Sequence, residues 1–334
     1  MQLEISFIIP VYNRPDEIEE LLQSILNLEG GHNYEIVIVE DGSTVNCQKI
    51  IDNFKDKLQI SYYYKPNSGP GDSRNYGMSR AKGNYFIILD SDCILPAKYL
   101  NEVTKSLDTN FVDCFGGPDA AHESFTNIQK AINFSMTSFI TTGGIRGKKG
   151  SVDKFQPRSF NMGISKKAFQ DSNGFGRIHP GEDPDLSIRL ESLGYKTKLI
   201  PEAFVYHKRR ISWFKFYKQV NKFGMVRPIL NRWHPTTKKL TYWFPSLFII
   251  GFILSIILGL MGIKLPLLAF GIYFGICFLS SLISSANIVV ALLAIPAVLI
   301  QFYGYGIGFI SSSIKLLTSN KKAEELFPKL FFAK

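Results

Sequence analysis

From residue 240 to residue 314 the chain carries one charged side chain, Lys264. An uncharged run of ~20 residues already suffices to cross the hydrocarbon core of a bilayer. Lipid offers no partner for a bare backbone amide, so such a run is confined to helix. This stretch predicts a membrane-embedded region with spans at 243–263, 265–284 and 287–310. A second arrangement is two spans plus a re-entrant or interfacial piece around 301–308, where Gly304, Gly306 and Gly308 weaken a regular helix. With residues 1–240 on the cytoplasmic side, three full spans put Lys315, Lys321, Lys322, Lys329 and Lys334 outside, against the positive-inside tendency, yet three is the reading adopted. Gly275, Ser280, Ser281, Ser284 and Ser285 are small enough for close helix contact there.

Charge divides the rest. Residues 1–202 hold 22 Lys/Arg and 26 Asp/Glu, residues 203–240 hold ten Lys/Arg and no acid, and residues 241–334 hold six Lys/Arg and two Glu. The net charge of +10 therefore resides in the linker, not across the folded part as in a uniformly basic nucleic-acid binder. There Trp213, Phe214, Phe216, Tyr217, Phe223 and Trp233 alternate with Lys215, Lys218, Lys222, Arg227 and Arg232. Such a stretch suits an interfacial helix, each cation contributing about 1 kcal/mol on anionic lipid. A membrane is the expected partner and nucleic acid is not. Cys47, Cys93, Cys114 and Cys277 lack paired spacing and read as reduced thiols.

Before the linker, strand and helix periods alternate. Short apolar, β-branched or aromatic runs occur at 5–9, 34–39, 59–64 and 85–89. Between them, Ile18, Leu21, Leu22, Ile25 and Leu28 mark one helix face, and 73–81 reads as a second helix stopped by Gly83. The pattern predicts an α/β fold, a mostly parallel sheet flanked by helices, followed by C-terminal transmembrane helices. A dinucleotide fold would need Gly-x-Gly-x-x-Gly after the first strand. Pro10-Val11-Tyr12-Asn13-Arg14-Pro15 stands there instead.

Asp90-Ser91-Asp92 closes the apolar run 85–89, which sets two carboxylates at the C-terminal mouth of a buried strand, where open α/β sheets bind ligands. Carboxylate oxygens suit Mg²⁺ or Mn²⁺, and such an ion can bridge a diphosphate. A second acidic group, Gly181-Glu182-Asp183-Pro184-Asp185-Leu186, opens a further helix. A carboxylate at a helix start can serve as a general base. The helix dipole is expected to keep that carboxylate ionised.

Segments 7–14, 39–43, 67–75, 81–83 and 89–92 together resemble the successive nucleotide-binding segments of family 2 glycosyltransferases, which have the GT-A (Rossmann-like) fold. The resemblance covers roughly residues 5 to 210. It implies that Pro10 and Tyr12 line the nucleoside pocket, that Asp41 bonds the base or ribose, and that Arg74 lies beside the base or the phosphates. It also implies that Asp90 faces ribose and metal, that Asp92 is the principal metal ligand, and that His207 is a third ligand or a phosphate contact, with basic neighbours Lys208, Arg209 and Arg210. Asp183 becomes the catalytic base and Glu182 its orienting partner. Asp72 departs from the small residue usual in the family and leaves the neighbouring Arg74 contact open. Residues 160–165 with Ala168, Phe169, Gly174 and Phe175 resemble the family's acceptor floor, or are ordinary core. The Gly-rich cationic stretch 143–150 reads as a lid over the phosphates or as a surface loop.

These readings give a catalytic domain at 1–210, a basic aromatic interfacial linker at 211–240, a transmembrane region at 241–312 and a basic tail at 313–334. With no signal peptide before the first strand, a multi-pass protein of the inner (plasma) membrane with a cytoplasmic catalytic domain is expected. It would move sugar from a nucleotide-diphosphate donor, a UDP-sugar first among them, to a lipid-linked or saccharide acceptor in polysaccharide or glycolipid assembly. One base and no enzyme nucleophile favour inversion. The processive members' Gln-x-x-Arg-Trp is replaced by Gln219-Val220-Asn221-Lys222-Phe223, which argues for adding one or few sugars. Two alternatives stand beside this: a polyprenyl-phosphate sugar synthase, and a non-catalytic scaffold or nucleotide-sugar sensor.

Overall fold

A computed structural model describes residues 3–143, 155–208 and 212–332. They form two compact units. The first holds residues 3–122, 155–208 and 331–332, and the second holds 123–143 and 212–330.

In the first unit the elements run β1 (Ile5–Val11), α1 (Pro15–Leu26), β2 (Tyr34–Asp41), α2 (Gln48–Asp52), β3 (Ile60–Lys65), α3 (Pro70–Arg80), β4 (Tyr85–Leu89), β5 (Cys93–Ile94), α4 (Tyr99–Thr109), β6 (Cys114–Gly116) and β7 (Asp119–Ala120). After α5 (Asn127–Thr137) and α6 (Phe139–Thr142) of the second unit come β8 (Asn161–Ser165), α7 (Lys166–Ser172), α8 (Glu182–Ser192), β9 (Thr197–Leu199) and β10 (Val205–His207). Seven strands make one sheet in the order β3-β2-β1-β4-β8-β6-β9. Strands β1 to β4 are parallel, whereas β8 runs antiparallel to both β4 and β6.

The physical cause is burial on both faces. Strand β4 reads Tyr-Phe-Ile-Ile-Leu and is buried throughout, as a central strand covered on two sides must be. Ile5, Phe7, Ile9, Ile36, Ile38, Ile87 and Leu89 feed one core with Leu21 and Leu22 of α1. Ile8, Val37, Val39, Phe86 and Ile88 feed the other with Met78 and Leu186. Adjacent residues point to opposite faces, so β1, β2 and β4 each serve both cores.

Helix α3 starts earlier than its apolar pattern suggests, because Pro70 fixes the first turn and Gly69 at φ +95° turns the chain into it. Strand β8 is buried along its whole length between β4 and β6, so residues 161–165 form the middle of the sheet. A second sheet, β5-β10-β7, is only two or three residues wide at each strand. Its register sets His207 opposite Cys93 and Val205 opposite Asp119.

The second unit is helical: α5, α6, α9 (Trp213–Trp233), α10 (Phe244–Leu260), α11 (Leu265–Ser285), α12 (Ile288–Leu317) and α13 (Ala323–Leu326). Ile132 and Met136 of α5 pack on Phe216 and Val220 of α9 and Ala297 of α12. That apolar contact draws residues 123–143 out of the stretch that the sequence assigns to the catalytic domain. Among the described residues, three helices are long and apolar enough to cross a membrane, at Leu240–Leu260, Leu265–Ser285 and Ile288–Leu317.

The helix break expected around Gly304, Gly306 and Gly308 is absent, because α12 is one continuous helix of 30 residues through all three. Those glycines admit neighbouring backbone instead of weakening the helix. A Cβ at Gly308 would lie 2.2 Å from Asn221 O, and one at Gly224 of α9 would lie 2.1 Å from Tyr305 O. Hydrogen bonds from Asn221 Nδ2 to Gly304 O (3.0 Å) and from Ser312 Oγ to Met225 O (2.7 Å) seal the crossing.

Candidate active site

The site residues stand where the parallel strands end. Asp41 terminates β2, and its buried carboxylate organises the loop that follows β3. Oδ1 accepts from Lys65 Nζ (2.6 Å) and the Ser68 N–H (2.9 Å), and Oδ2 accepts from the Gly69 N–H (2.9 Å). Both oxygens are thus engaged by the protein's own loop, as befits a buried carboxylate. Asp72 turns the same way, receiving the Ser68 hydroxyl at 2.5 Å and lying 3.2 Å from Lys65 Nζ. The departure at Asp72 therefore leaves Arg74 to other partners.

Pro10 and Tyr12 lie at and just beyond the end of β1, and Tyr12 is exposed. Asn13, in the left-handed region at φ 52°, accepts from the Thr44 and Val45 N–H groups at 2.9 and 3.0 Å. Its own N–H donates to Ser43 Oγ at 2.7 Å. The loops after β1 and β2 are thereby tied side by side.

Arg74 projects from α3 and is buried. Nη2 reaches Asp90 Oδ1 at 2.7 Å and Nη1 reaches Glu182 Oε1 at 3.0 Å. One rigid guanidinium fork therefore joins the acid after β4 to the acid that opens α8, 16 and 108 residues away in sequence. The Arg74 guanidinium also lies over the Phe175 ring, 5.3 Å from its centroid. Asn75 fixes the same loop, donating to Phe175 O at 2.9 Å and accepting the Phe175 N–H at 2.8 Å.

The two adjacent acids of α8 differ in environment. Burial works to raise the Glu182 carboxyl, but His179, whose Nδ1 lies 3.1 Å from Oε1, and Arg74 outweigh it and hold Glu182 well below the usual carboxylate range. For Asp183, burial pushes the carboxyl up, and the charge of Glu182 adds to it against the opposing Arg158, 3.8 Å away. The helix dipole alone, from which an ordinary ionised Asp was expected, does not set this group. Neighbouring charge and desolvation split the pair into a fixed anion and a more basic carboxylate.

Asp92 lies in the turn between β4 and β5. Its Oδ2 is bonded by Arg14 Nη1, and its Oδ1 stands 3.2 Å from His207 Nε2. His207 reaches this position because β10 pairs with β5, and its ring stacks on Phe160 at 4.8 Å and 21°. Asp119 on β7 backs the other ring nitrogen at 3.9 Å.

Asp92, Cys93 and His207 offer ligand atoms all within 4.8 Å of one another. The carboxylate and imidazole fit Mg²⁺ or Mn²⁺, whereas the buried Cys93 thiol, raised well above its ordinary value by burial, is a soft and protonated donor unsuited to either. Asp90, two residues earlier, is directed to Arg74. Lys208 pairs with Glu20 at 2.6 Å, while Arg209, Arg210 and the Gly-rich stretch after Gly143 lie outside the described residues. Arg14, Lys65, Asp119, Arg158 and His179 join the site without having been singled out by sequence. Arg14 lies inside the first motif and could have been noticed there; the others carry no local signal.

The glycosyl transferase family 2 profile matches residues 6–172. An uncharacterised glycosyltransferase of Rickettsia bellii is 35% identical over 107 residues, which is 32% of this chain and 15% of that protein. The GalNAc(5)-diNAcBac-PP-undecaprenol β-1,3-glucosyltransferase of Campylobacter jejuni is 26% identical over 218 residues, 64% of each chain. The chain thus spans less than two thirds of the length of these curated relatives. Among solved structures, a mannosyltransferase of Pyrobaculum calidifontis in complex with GDP-Man and Mn²⁺ superposes with a TM-score of 0.57 at 14% identity, covering 96% of this chain and 89% of that one. The fold is accordingly GT-A. The mixed sheet of mostly parallel strands and the profile match over residues 6–172, half of the sequence, agree: the chain belongs to glycosyl transferase family 2.

Proposed function

We propose that the protein transfers a sugar from a nucleotide-diphosphate donor to the hydroxyl of a lipid-linked acceptor, with inversion and without processive extension. The observation that carries this reading is Arg74. It holds Asp90 after β4 and Glu182 of α8 on one guanidinium within the first unit, which supports a shared site for the two acidic groups.

Asp183 is the base. Its raised carboxyl takes the proton from the acceptor hydroxyl as that oxygen attacks the anomeric carbon and the bond to the diphosphate breaks. Glu182, kept ionised, is a poor base and acts as the fixed anion that orients the site. Loops 10–14 and 41–45 with Gly69 frame the nucleoside, and Asp41 holds that frame in shape. Asp92 and His207, with Asp90 nearby, would hold Mg²⁺ or Mn²⁺. When bound there, a divalent ion supplies Lewis-acid stabilisation of the departing diphosphate.

Support for a lipid-linked acceptor comes from the three apolar helices and from the polyprenyl-linked substrate named for the Campylobacter relative. A membrane anchor confines enzyme and acceptor to one surface and raises their effective concentration. The expected setting is the cytoplasmic face of the inner membrane. Non-processive transfer is supported by residues 219–223, which lie in α9 and serve its contact with α12 through Val220 and Asn221.

The test is a panel of UDP- and GDP-sugars offered to the full chain in detergent with a polyprenyl-diphosphate-sugar acceptor, with and without Mn²⁺. Transfer that depends on the ion and falls by ~10³-fold in Asp92→Ala is expected. Near-normal rates in that variant would remove the metal role. Preferential use of polyprenyl phosphate would favour the synthase reading.

A further inference from the structure

Residues 331 and 332 rejoin the first unit beside the site. Phe331 makes an antiparallel bridge with Ile178, and the Phe332 N–H donates to Arg177 O at 3.2 Å. The Phe332 ring presses on the backbone of Gly69, where a Cβ would meet three ring atoms at 2.3–2.6 Å. Its ring centroid also lies 6.1 Å from that of His179. It belongs to neither sheet core.

One aromatic side chain therefore touches both loops that frame the Arg74 cluster. The loop at 66–69 delivers two N–H groups to Asp41, and the loop at 175–181 delivers His179 to Glu182. Neither loop has a ladder of its own, and segments of that kind open at low free energy unless side-chain packing restrains them. Gly69 at φ +95° supplies the turn, and its missing Cβ is what lets the ring approach.

We propose that Phe332 is a positioning residue: it clamps loop 66–69 to loop 175–181, so that the nucleoside frame and the Glu182–Asp183 pair are held in register. The inference rests on the donor-site reading above. Its closing experiment separates the two. Amide hydrogen exchange is followed at Ser68 and Gly69 in the full chain in detergent, for wild type, Phe332→Ala and Phe332→Tyr. UDP and GDP are titrated onto the same samples with Mn²⁺.

Phe332→Ala is expected to speed exchange at Ser68 and Gly69 by ~10-fold, leave β1 and β4 amides unchanged, and weaken nucleotide binding by a similar factor. Phe332→Tyr is expected to restore both. Unchanged exchange at Ser68 and Gly69 in Phe332→Ala overturns the inference, whatever the titration gives. Raised exchange in a chain that binds neither nucleotide keeps the clamp and removes the donor-site reading.

Discussion

Arg74 is the residue on which the site turns, because only a planar fork can meet Asp90 and Glu182 at once while staying buried. Its effect passes along α8. Glu182, fixed as an anion, helps raise its neighbour Asp183, and Arg158 works against that rise. A base must be ionised to act, so the rate should fall as pH drops through the raised Asp183 value, above the range of an ordinary Asp. Arg158→Gln removes an opposing charge and should move this acid limb of the kcat/KM profile to still higher pH. A limb that stays in place or moves down would show that Asp183 does not set it. Sequence singled out Asp90, Asp92, Glu182, Asp183 and Arg74 because motif order marks them. Arg158 and His179 were not legible, since their roles arise only when α8 and its preceding loop fold over α3.

Elements explain what motifs left out. His207 stands beside Asp92 because a two-residue strand, β5, pairs with β10, and strands that short leave no periodicity to read. The parallel strands were legible from their apolar runs, and α1 from its single apolar face. Misread were the glycines of α12, where low helix propensity pointed to irregular structure. The competing effect is close packing: in an apolar helical unit, a missing side chain lets two backbones meet. Gly308→Ala should therefore cost about 1–3 kcal/mol of stability by overpacking against Asn221 O. Gly271→Ala, where a Cβ meets nothing within 4 Å, is the control and should leave the melting temperature in detergent unchanged. Equal melting temperatures for wild type and both variants would mean that α9 and α12 do not depend on this crossing.

At the scale of the whole chain, composition separates an acidic part from a basic stretch and an apolar one, and the described residues fold as two compact units. Composition could not show that residues 123–143 cluster with the helices, or that residues 331–332 return to the first unit, since both depend on contacts between segments far apart in sequence. Transfer as proposed requires that donor-side and acceptor-side acids act on one reaction. Single-turnover transfer by Asp183→Asn, measured beside its affinity for the donor nucleotide, examines that requirement most directly. The expected result is a rate lower by ~10³-fold or more with nucleotide binding within about twofold of wild type, the pattern of a group needed in the transition state alone. A near-normal rate with binding intact would contradict it.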